Sequence, residues 1–403
     1  MAGSKAIVIG GSMSGLLCAL LLRRAGWSVD IYERVDTELS GRGAGIVAQQ
    51  ELIERLRRLG LATDALGVNI TSRKILNRQG RVTEEFQCSQ VLTAWERVYR
   101  LLRDAFPPER YHRGRGFAGY EAGTNSVVAH FSDGETIEAD LLVGADGTRS
   151  TVRGQALPAA VPLYAGYCAW RALIAESALA TDVHRDLFDD MTFALPPGEQ
   201  LLGYPVAGPD NDLRPGHRRY NVVWYRPADE QTKLQWLLTD KRGITHALSI
   251  PPPLIRREAV AEMRAAAERL AGPQFRHIIK LIDEPILQPI YDLESPHMAF
   301  GRVAILGDAA FVARPHVAAG VSKAADDAAA LAEALIAEPD VASALKRFEA
   351  ARLPENYRII ERARHLGAYL QATQTQEERA RAGMHSTDAA VIAETAVLDF
   401  LYA

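Results

Sequence analysis

Apolar residues near the amino terminus form two patterns, a short continuous run over residues 6–9 and a longer helical stretch over residues 16–22. A glycine-rich turn over residues 10–15 separates them, and Gly26 ends the second pattern before another apolar run over residues 28–32. A short apolar run bounded by turn residues is typical of a strand, whereas the longer stretch is typical of a helix. The pattern therefore predicts a strand, a tight turn, a helix and a second strand, which together form a βαβ unit.

Two later segments repeat the change from an apolar run to a turn that contains glycine and aspartate. They cover residues 140–147 and residues 303–308, and an alanine-rich helical pattern over residues 322–337 follows the second. We predict that the three strand-and-turn segments belong to one domain, which is therefore assembled from distant parts of the chain.

The region between these segments has a different character. Alternating and aromatic stretches are separated there by proline or glycine turns, which is typical of an antiparallel sheet. The predicted strands cover residues 164–173, 191–195, 201–206 and 220–225. Further helices are predicted over residues 256–271, after a run of three prolines, and over residues 389–401 near the end.

Composition and charge narrow the classes of function. The chain has 403 residues, of which 48% are hydrophobic and 24% are charged, with a formal net charge of -4. This length suffices for two or three domains, and the slightly negative charge gives no overall attraction to nucleic acid or anionic lipid. The apolar stretch over residues 16–22 is too short to span a bilayer. The three cysteines match neither a zinc site nor a disulfide framework. We expect a cytoplasmic protein without a metal, a nucleic-acid partner or a membrane partner.

The turn after the first predicted strand carries a dinucleotide-binding pattern. Gly10 stands where a glycine permits the sharp turn, and Gly15 where one lets the helix pack against the strand. Ser12 occupies the middle position, which is usually glycine, and its hydroxyl can donate to a phosphate oxygen. Met13 and Ser14 lead into the helix, whose free N–H groups would face the phosphates. The alternative is a glycine-rich turn that only shapes the chain.

Glu33 ends the second predicted strand, where the dinucleotide pattern places an acid. A carboxylate there can accept hydrogen bonds from both ribose hydroxyls and would repel a 2′-phosphate, which favours FAD or NAD over NADP. Arg34 is an argument for NADP instead, because an arginine next to the acid can accommodate the 2′-phosphate. Both Arg34 and Arg42 are included among the predicted cofactor-binding residues.

Three motifs together resemble the p-hydroxybenzoate-hydroxylase-like flavoprotein monooxygenases. They are the segment from Gly10 to Glu33, the Asp-Gly segment over residues 146–153, and the Gly-Asp segment over residues 307–310. The resemblance covers most of the chain, from Lys5 to about Leu370, and within the family it is closest to hydroxylases of pyridine-type rings. The segments that carry this closer likeness lie at residues 164–167, 170–171, 204–205 and 314–316.

The resemblance implies an α/β fold in which a Rossmann-like FAD-binding domain is interleaved with a mostly antiparallel-sheet substrate domain and followed by a helical C-terminal region. The FAD-binding domain would comprise residues 1–67, 92–157 and 284–370. The substrate domain would comprise residues 68–91 and 158–283, and residues 371–403 would form the tail.

The same resemblance implies that FAD is bound without a covalent bond. Asp308 lies at the carboxyl end of a predicted strand, where ligands of open α/β sheets bind, and its carboxylate would accept a hydrogen bond from a hydroxyl of the ribityl chain. The helix that begins near Val321 would direct its N-terminal N–H groups at the flavin. Asp146 would couple flavin binding to nicotinamide docking, or it would only form an Asp-Gly turn. The cofactor-binding residues predicted in this part of the chain are Asp146, Asp308, Pro315, Gly320, Val321 and Ser322.

The resemblance also implies a reaction. NAD(P)H would reduce FAD during a transient visit, because no second glycine-rich βαβ unit is visible in the sequence. O2 would then give a flavin hydroperoxide that attacks an electron-rich aromatic or N-heteroaromatic ring. A non-hydroxylating oxidase or dehydrogenase is one alternative, and a flavin-binding protein without turnover is another. The substrate, the choice of NADH or NADPH and the formation of a homodimer are left open.

The substrate side needs a base that removes a ring hydroxyl proton near neutral pH, for which histidine is the default residue. His316 follows Pro315 in the segment that the family places between flavin and substrate, and Tyr204 is the second catalytic candidate. The alternative for His316 is a loop histidine with a structural hydrogen bond, and aromatic residues on strands often belong to a core. The residues predicted to line the substrate pocket are Gln49, Arg171, Tyr204, Tyr220, Trp224 and His316.

Overall fold

A computed structural model describes residues 3–39 and 45–401 of the chain. The strands are β1 (Lys5–Ile9), β2 (Ser28–Tyr32), β3 (Gly45–Ala48), β4 (Val68–Leu76), β5 (Val82–Ala94), β6 (Tyr111–His112), β7 (Phe117–Ala122), β8 (Val127–Phe131), β9 (Thr136–Ala139), β10 (Leu141–Gly144), β11 (Leu163–Ala175), β12 (Met191–Ala194), β13 (Gln200–Val206), β14 (Arg219–Pro227), β15 (Ile286–Asp292), β16 (Ala299–Phe300) and β17 (Val303–Ile305). The α-helices are α1 (Met13–Arg24), α2 (Gln50–Arg58), α3 (Trp95–Ala105), α4 (Thr151–Ala156), α5 (Thr181–Leu187), α6 (Gln235–Leu238), α7 (Arg257–Leu270), α8 (Pro273–Lys280), α9 (Gly320–Ala337), α10 (Val341–Gly367), α11 (Gln376–His385) and α12 (Asp388–Glu394).

The first sheet confirms the predicted βαβ unit and its assembly from three distant segments. Its strand order is β16-β17-β10-β1-β2-β6, and all its pairs are parallel except β16 with β17. The strands β1, β10 and β17 therefore lie side by side and point the same way. Because the carboxyl ends of parallel strands meet at one edge of a sheet, the turns that follow these three strands converge.

The second sheet confirms the predicted antiparallel region. Its order is β15-β11-β14-β13-β12-β4-β5-β3, and all its pairs are antiparallel except β12 with β4. One face packs against the helices α5 to α8, and the other face turns toward the first sheet. A third, antiparallel sheet has the order β7-β8-β9. Strands β3 and β15 join the second sheet although both lie in segments predicted for the FAD-binding domain, and the exact domain boundaries stay a prediction.

The C-terminal region is helical, but its last helix is shorter than the predicted one over residues 389–401. Helix α12 ends at Glu394, and Ala396 adopts a left-handed conformation with φ of 58°. A left-handed residue cannot continue a right-handed helix, so the chain changes direction there. Within residues 3–39 and 45–401, no helix is long and apolar enough to cross a membrane. In the same part of the chain, no group of three His, Cys, Asp or Glu side chains could hold a metal ion.

Candidate active site

Two adjoining cavities lie where the converging turns of the first sheet face the second sheet. The sheet cavity, of about 440 Å³, is lined on one side by Arg171, Tyr204 and Tyr225. The turn cavity, of about 360 Å³, is lined by Gly10 and by the turns that follow β2 and β10. The two share four lining residues and therefore form one elongated space. These shared residues are Ser12, Ser14, Trp95 and Asp308.

Two glycines bring the β1–α1 turn close to its neighbours. Gly10 has a φ of +106°, and a Cβ there would lie 2.4 Å from the carbonyl oxygen of Ala145. A Cβ on Gly15 would lie 1.9 Å from the carbonyl oxygen of Gly10. Ser12, by contrast, has an extended backbone and its side chain makes no capping bond to the helix. The middle position therefore tolerates a side chain, which is why serine can replace the usual glycine.

Glu33 is fixed in place by the turn that it faces. Its Oε2 accepts a hydrogen bond of 2.9 Å from the N–H of Gly11, and its Oε1 accepts one of 2.9 Å from the N–H of Val35. The carboxylate lines the turn cavity beside the exposed Arg34. A carboxylate offers about four acceptor positions, so two are left for hydroxyl groups of a ligand. Arg42 lies outside the described residues.

Asp146 follows β10, and its carboxylate can cap helix α4 as well as bind a ligand. Its Oδ2 accepts hydrogen bonds from the N–H groups of Thr151 at 2.7 Å and Val152 at 3.3 Å, so it caps α4. Its Oδ1 is buried and has no hydrogen-bond partner among the described residues, although the residue lines the turn cavity. Burial raises the pKa of this carboxyl group. A structural role is therefore evident, and the unpaired oxygen still leaves an acceptor for a ligand donor.

Asp308 follows β17 and lies at the junction of the two cavities. Its side chain is accessible from the cavities, but the surrounding protein still raises the pKa of its carboxyl group by desolvation, while the ammonium group of Lys323 lowers it and the carboxylate of Asp327 raises it. Asp327 also accepts a hydrogen bond of 3.0 Å from the N–H of Gly307, which fixes this turn against α9. The position at the carboxyl end of a parallel strand suits a carboxylate that accepts hydrogen bonds from a ligand.

The start of α9 forms part of the sheet cavity. Pro315, Gly320 and Val321 all line it, and no acidic residue occupies the first turn of the helix. The positive end of the helix dipole therefore faces the cavity without a neutralising carboxylate in that turn. Ser322 differs from the prediction, because its side chain is buried and its hydroxyl donates to the carbonyl oxygen of Ala319 at 3.1 Å.

Arg171 on β11 brings a cation to the sheet cavity. Its guanidinium donates to Oε1 of Gln288 at 2.9 Å and to the carbonyl oxygen of Gly45 at 3.2 Å, and both acceptors are uncharged. Its Nε is buried and has no partner within the described part of the chain. Tyr204 lines the same cavity, and burial raises the pKa of its hydroxyl to about 12, so it stays protonated near neutral pH. The wall therefore offers one positive charge and a hydroxyl donor.

His316 lines the sheet cavity, as predicted, but its surroundings do not suit a base that titrates near neutrality. Its Nε2 lies 2.8 Å from the hydroxyl oxygen of Tyr167. Burial and, as the smaller cause, the positive charge of Arg314 together lower the pKa of the imidazole to about 3. The protein around His316 disfavours the imidazolium ion, which argues against a near-neutral base, and the catalytic role of His316 stays a prediction. The neutral ring can still orient a ligand through a hydrogen bond.

Tyr220 and Trp224 do not line the sheet cavity, so this part of the prediction is corrected. Both are fully buried on the opposite face of the second sheet, against the helices that cover it. Side chains alternate between the two faces of a strand, so the odd-numbered residues of β14 face the cavity. Val223 and Tyr225 are the two that line it. The cross-strand partner of Arg171 is Val223, so the face that lines the cavity follows from the register of this pairing, which the sequence alone does not give.

Gln49 also differs from its predicted role. Its side-chain amide donates to the carbonyl oxygen of Ala396 at 3.1 Å, and the residue is not among those that line the sheet cavity. Ala396 and Thr395 line it instead, together with Gln288. No sequence pattern pointed to these three residues, because β15, which carries Gln288, and the C-terminal segment reach the cavity only through the fold. The remaining predicted residue, Met13, is the first of α1 and lines the sheet cavity.

Comparison with known proteins agrees with the geometry. A family model described as an NAD(P)-binding Rossmann-like domain matches residues 8–59, and one described as FAD binding domain-like matches residues 164–292. The chain is 35% identical to the 2,6-dihydroxypyridine 3-monooxygenase of Paenarthrobacter nicotinovorans, an alignment that covers 90% of this chain and 91% of that protein. It is 28% identical to the 3-amino-4-hydroxybenzoate 2-monooxygenase of Streptomyces cremeus, over 89% of this chain and 86% of that protein.

The fold comparison gives the same result. The structure of 2,6-dihydroxypyridine-3-hydroxylase from Arthrobacter nicotinovorans superposes with a TM-score of 0.87 at 33% sequence identity, covering 93% of this chain and 94% of that one. Sequence identity and coverage at this level confirm the resemblance that the three motifs indicated. The chain therefore belongs to the FAD-dependent monooxygenases that hydroxylate aromatic and heteroaromatic rings.

Proposed function

We propose that the protein uses NAD(P)H and O2 to hydroxylate a small hydroxylated pyridine or a closely related electron-rich heteroaromatic ring. The observation that carries this proposal is the sheet cavity itself. It joins the turn of Asp308 and the start of α9 to a wall that combines aromatic side chains, one cation and uncharged hydrogen-bonding groups. The relative with 35% identity is named for the 3-hydroxylation of 2,6-dihydroxypyridine, which supports this class of substrate.

The turn cavity suits the adenosine and diphosphate parts of FAD. The close approaches at Gly10 and Gly15 leave no room for a Cβ, as a tight turn and close helix packing require, and the turn then brings the N-terminus of α1 to the place that a diphosphate would occupy. Glu33 would hold the ribose hydroxyls, and the unpaired Oδ1 of Asp146 would accept from a cofactor donor. Asp308 would hold the ribityl chain at the entrance to the sheet cavity. When bound, FAD supplies the redox chemistry and the activation of O2.

Arg171 has no carboxylate partner among the described residues, unlike Arg314, which also lines the sheet cavity but is paired with Asp292, so the wall at Arg171 favours a substrate that carries a negative oxygen. A hydroxypyridine that has lost a proton has such an oxygen, and Arg171 would pair with it through a charge-assisted hydrogen bond. Since the pKa of His316 is about 3, this residue does not take up the ring proton. The ring would therefore enter as its anion, with its proton already released to water. His316 and the protonated hydroxyl of Tyr204 would orient it.

Control of reduction by the substrate is the first expected property. We expect NAD(P)H oxidation to be slow with the holoenzyme alone and to accelerate when the correct ring is added, because no second dinucleotide domain is apparent in the sequence. The assay follows NAD(P)H absorbance across a panel of hydroxylated pyridines and hydroxybenzoates, with 18O2 to trace the oxygen into the product. Fast flavin reduction that ignores every ring, with no 18O in any product, would instead indicate an oxidase or dehydrogenase.

Arg171 is expected to determine affinity for the anionic ring. Replacing it with Met keeps most of its volume but removes the charge-assisted hydrogen bond, so KM should rise by about 10- to 100-fold. Arg171→Lys should recover part of the loss because it keeps the charge. Arg185→Met, at an exposed position on α5, is the matched control and should leave KM unchanged. Equal KM values in Arg171→Met and the wild type would show that the guanidinium does not contact the substrate.

A further inference from the structure

We propose that the C-terminal segment over residues 392–396 is a wall of the substrate cavity, and that Arg73 is the positioning residue that holds this wall. Through it, Arg73 would set both the affinity for the ring and the fraction of reducing equivalents that ends in hydroxylated product. This inference rests on the proposed function, since it assumes that the sheet cavity binds the substrate.

The wall reaches the cavity at two residues. Thr395 and Ala396 both line the sheet cavity, and the N–H of Ala396 donates to the backbone carbonyl oxygen of His316 at 2.7 Å. The carbonyl oxygen of Ala396 accepts from the side-chain amides of Gln49 at 3.1 Å and Gln90 at 3.0 Å. The segment is therefore tied on one side to the loop that carries His316 and on the other to the second sheet.

Arg73 on β4 is the centre of these contacts. Its side chain is fully buried, and its Nη1 donates to the carbonyl oxygens of Ile392 at 2.8 Å and Thr395 at 2.7 Å. Its Nη2 and Nε donate to Oε1 of Gln90 at 2.7 Å and 3.2 Å. Burial lowers the pKa of this guanidinium. All of these acceptors are uncharged oxygens. The buried guanidinium is therefore stabilised by hydrogen bonds to the wall and to Gln90, which supports the wall.

The two carbonyls that Arg73 binds lie where helix α12 ends. Carbonyl groups at a helix C-terminus lack intrahelical partners and carry the negative end of the helix dipole, so a guanidinium is a suitable cap for them. One residue further, Ala396 has a φ of 58°, a left-handed conformation that is unfavourable for an L-residue with a side chain. Strained backbone of this kind persists only where the surroundings hold it. The position of the wall therefore depends on the cap that precedes it.

Loss of the cap should be transmitted to the ring site. Movement of the wall would remove part of the lining of the sheet cavity. Because the N–H of Ala396 donates a hydrogen bond to the carbonyl oxygen of His316, it would also release the loop that carries His316. Water would then enter the cavity, and the activated oxygen would be lost as peroxide. The contacts of the turn cavity are made by other segments, which do not include Pro315, so the affinity for FAD should change much less than KM.

The test compares Arg73→Met with the wild-type holoenzyme. We expect KM for the ring to rise about 10-fold, as for the loss of hydrogen bonds to a charged group, and the ratio of peroxide to hydroxylated product to increase. The FAD dissociation constant should change by much less than KM. Hydrogen–deuterium exchange at the amides of Thr395 and Ala396 should become faster. Arg81→Met, at an exposed position of the same hairpin, is the matched control and should alter none of these values.

Two further variants keep the test decisive. Arg73→Lys can still donate to one carbonyl and should give an intermediate KM. Gln90→Met removes only the support of Arg73 and Ala396, and should move KM and exchange in the same direction by less. If Arg73→Met does not fold, Gln90→Met decides. Unchanged KM, coupling and exchange in whichever folded variant is measured would overturn the inference. If the wild type hydroxylates no ring at all, the proposed function fails, whereas exchange at Thr395 and Ala396 still shows whether Arg73 holds the wall.

Discussion

Replacing Glu33 with alanine is expected to weaken FAD binding by about 2 to 4 kcal/mol, which corresponds to roughly 30- to 1000-fold in the dissociation constant. Without the carboxylate, the ribose would lose two charge-assisted hydrogen bonds, and the N–H groups of Gly11 and Val35 would lose their acceptor. The turn that faces the diphosphate would therefore be less well ordered before the cofactor binds. Titration of the apoprotein with FAD, followed by flavin fluorescence, measures the change.

The conservative variant Glu33→Gln separates the two contributions. An amide keeps one acceptor oxygen but presents an NH2 group to an N–H donor, so an intermediate affinity is expected. Glu258→Gln, at an exposed position on α7, controls for the change in net charge. Turnover at saturating FAD should stay close to that of the wild type in every variant. An FAD affinity in Glu33→Ala that equals the wild-type value would remove Glu33 from the cofactor site.

Replacing His316 with alanine is expected to lower kcat/KM for hydroxylation by about 10- to 100-fold and to divert reducing equivalents to peroxide. The estimate corresponds to the loss of one orienting hydrogen bond and its packing, at about 1.4 kcal/mol for each factor of ten. A missing general base would cost about 10²- to 10⁴-fold. His316→Asn should recover much of the activity, because an amide can hydrogen-bond the ring although it cannot take its proton.

The pH dependence distinguishes the two roles. Since the pKa of His316 lies at about 3, the imidazole stays neutral as the pH falls from neutrality, and it gains a proton only below the usual working range. The kcat/KM profile between about pH 5 and pH 8 should therefore have the same shape in the wild type and in His316→Asn. A step near pH 6.5 that disappears in His316→Asn, together with an inactive Asn variant, would restore the histidine as the base.

The sequence by itself determined the nucleotide-binding half of the protein. Gly10, Gly15 and Glu33 lie within one strand–turn–helix–strand unit, and the spacing of such a unit is fixed by local geometry. Asp146 and Asp308 each follow an apolar run, and parallel strands bring their carboxyl ends to one edge wherever they stand in the chain. The predicted residues after these strands therefore meet in the structure, although they are more than a hundred residues apart. Four strands of the second sheet, β11 to β14, could also be predicted, because turn residues bound each apolar stretch, whereas β3, β4, β5 and β15 were not predicted.

Only the tertiary structure decided which side chains face the sheet cavity and what surrounds them there. A strand pattern with apolar residues on both faces does not say which face is covered by helices, so Tyr220 and Trp224 could not be told from Tyr225 by sequence. The pKa of His316 depends on burial and on Arg314, neither of which a sequence motif contains. The wall at Ala396 depends on bonds to Arg73, more than three hundred residues away in the chain. Such contacts are set by how the elements pack, and no local periodicity encodes them.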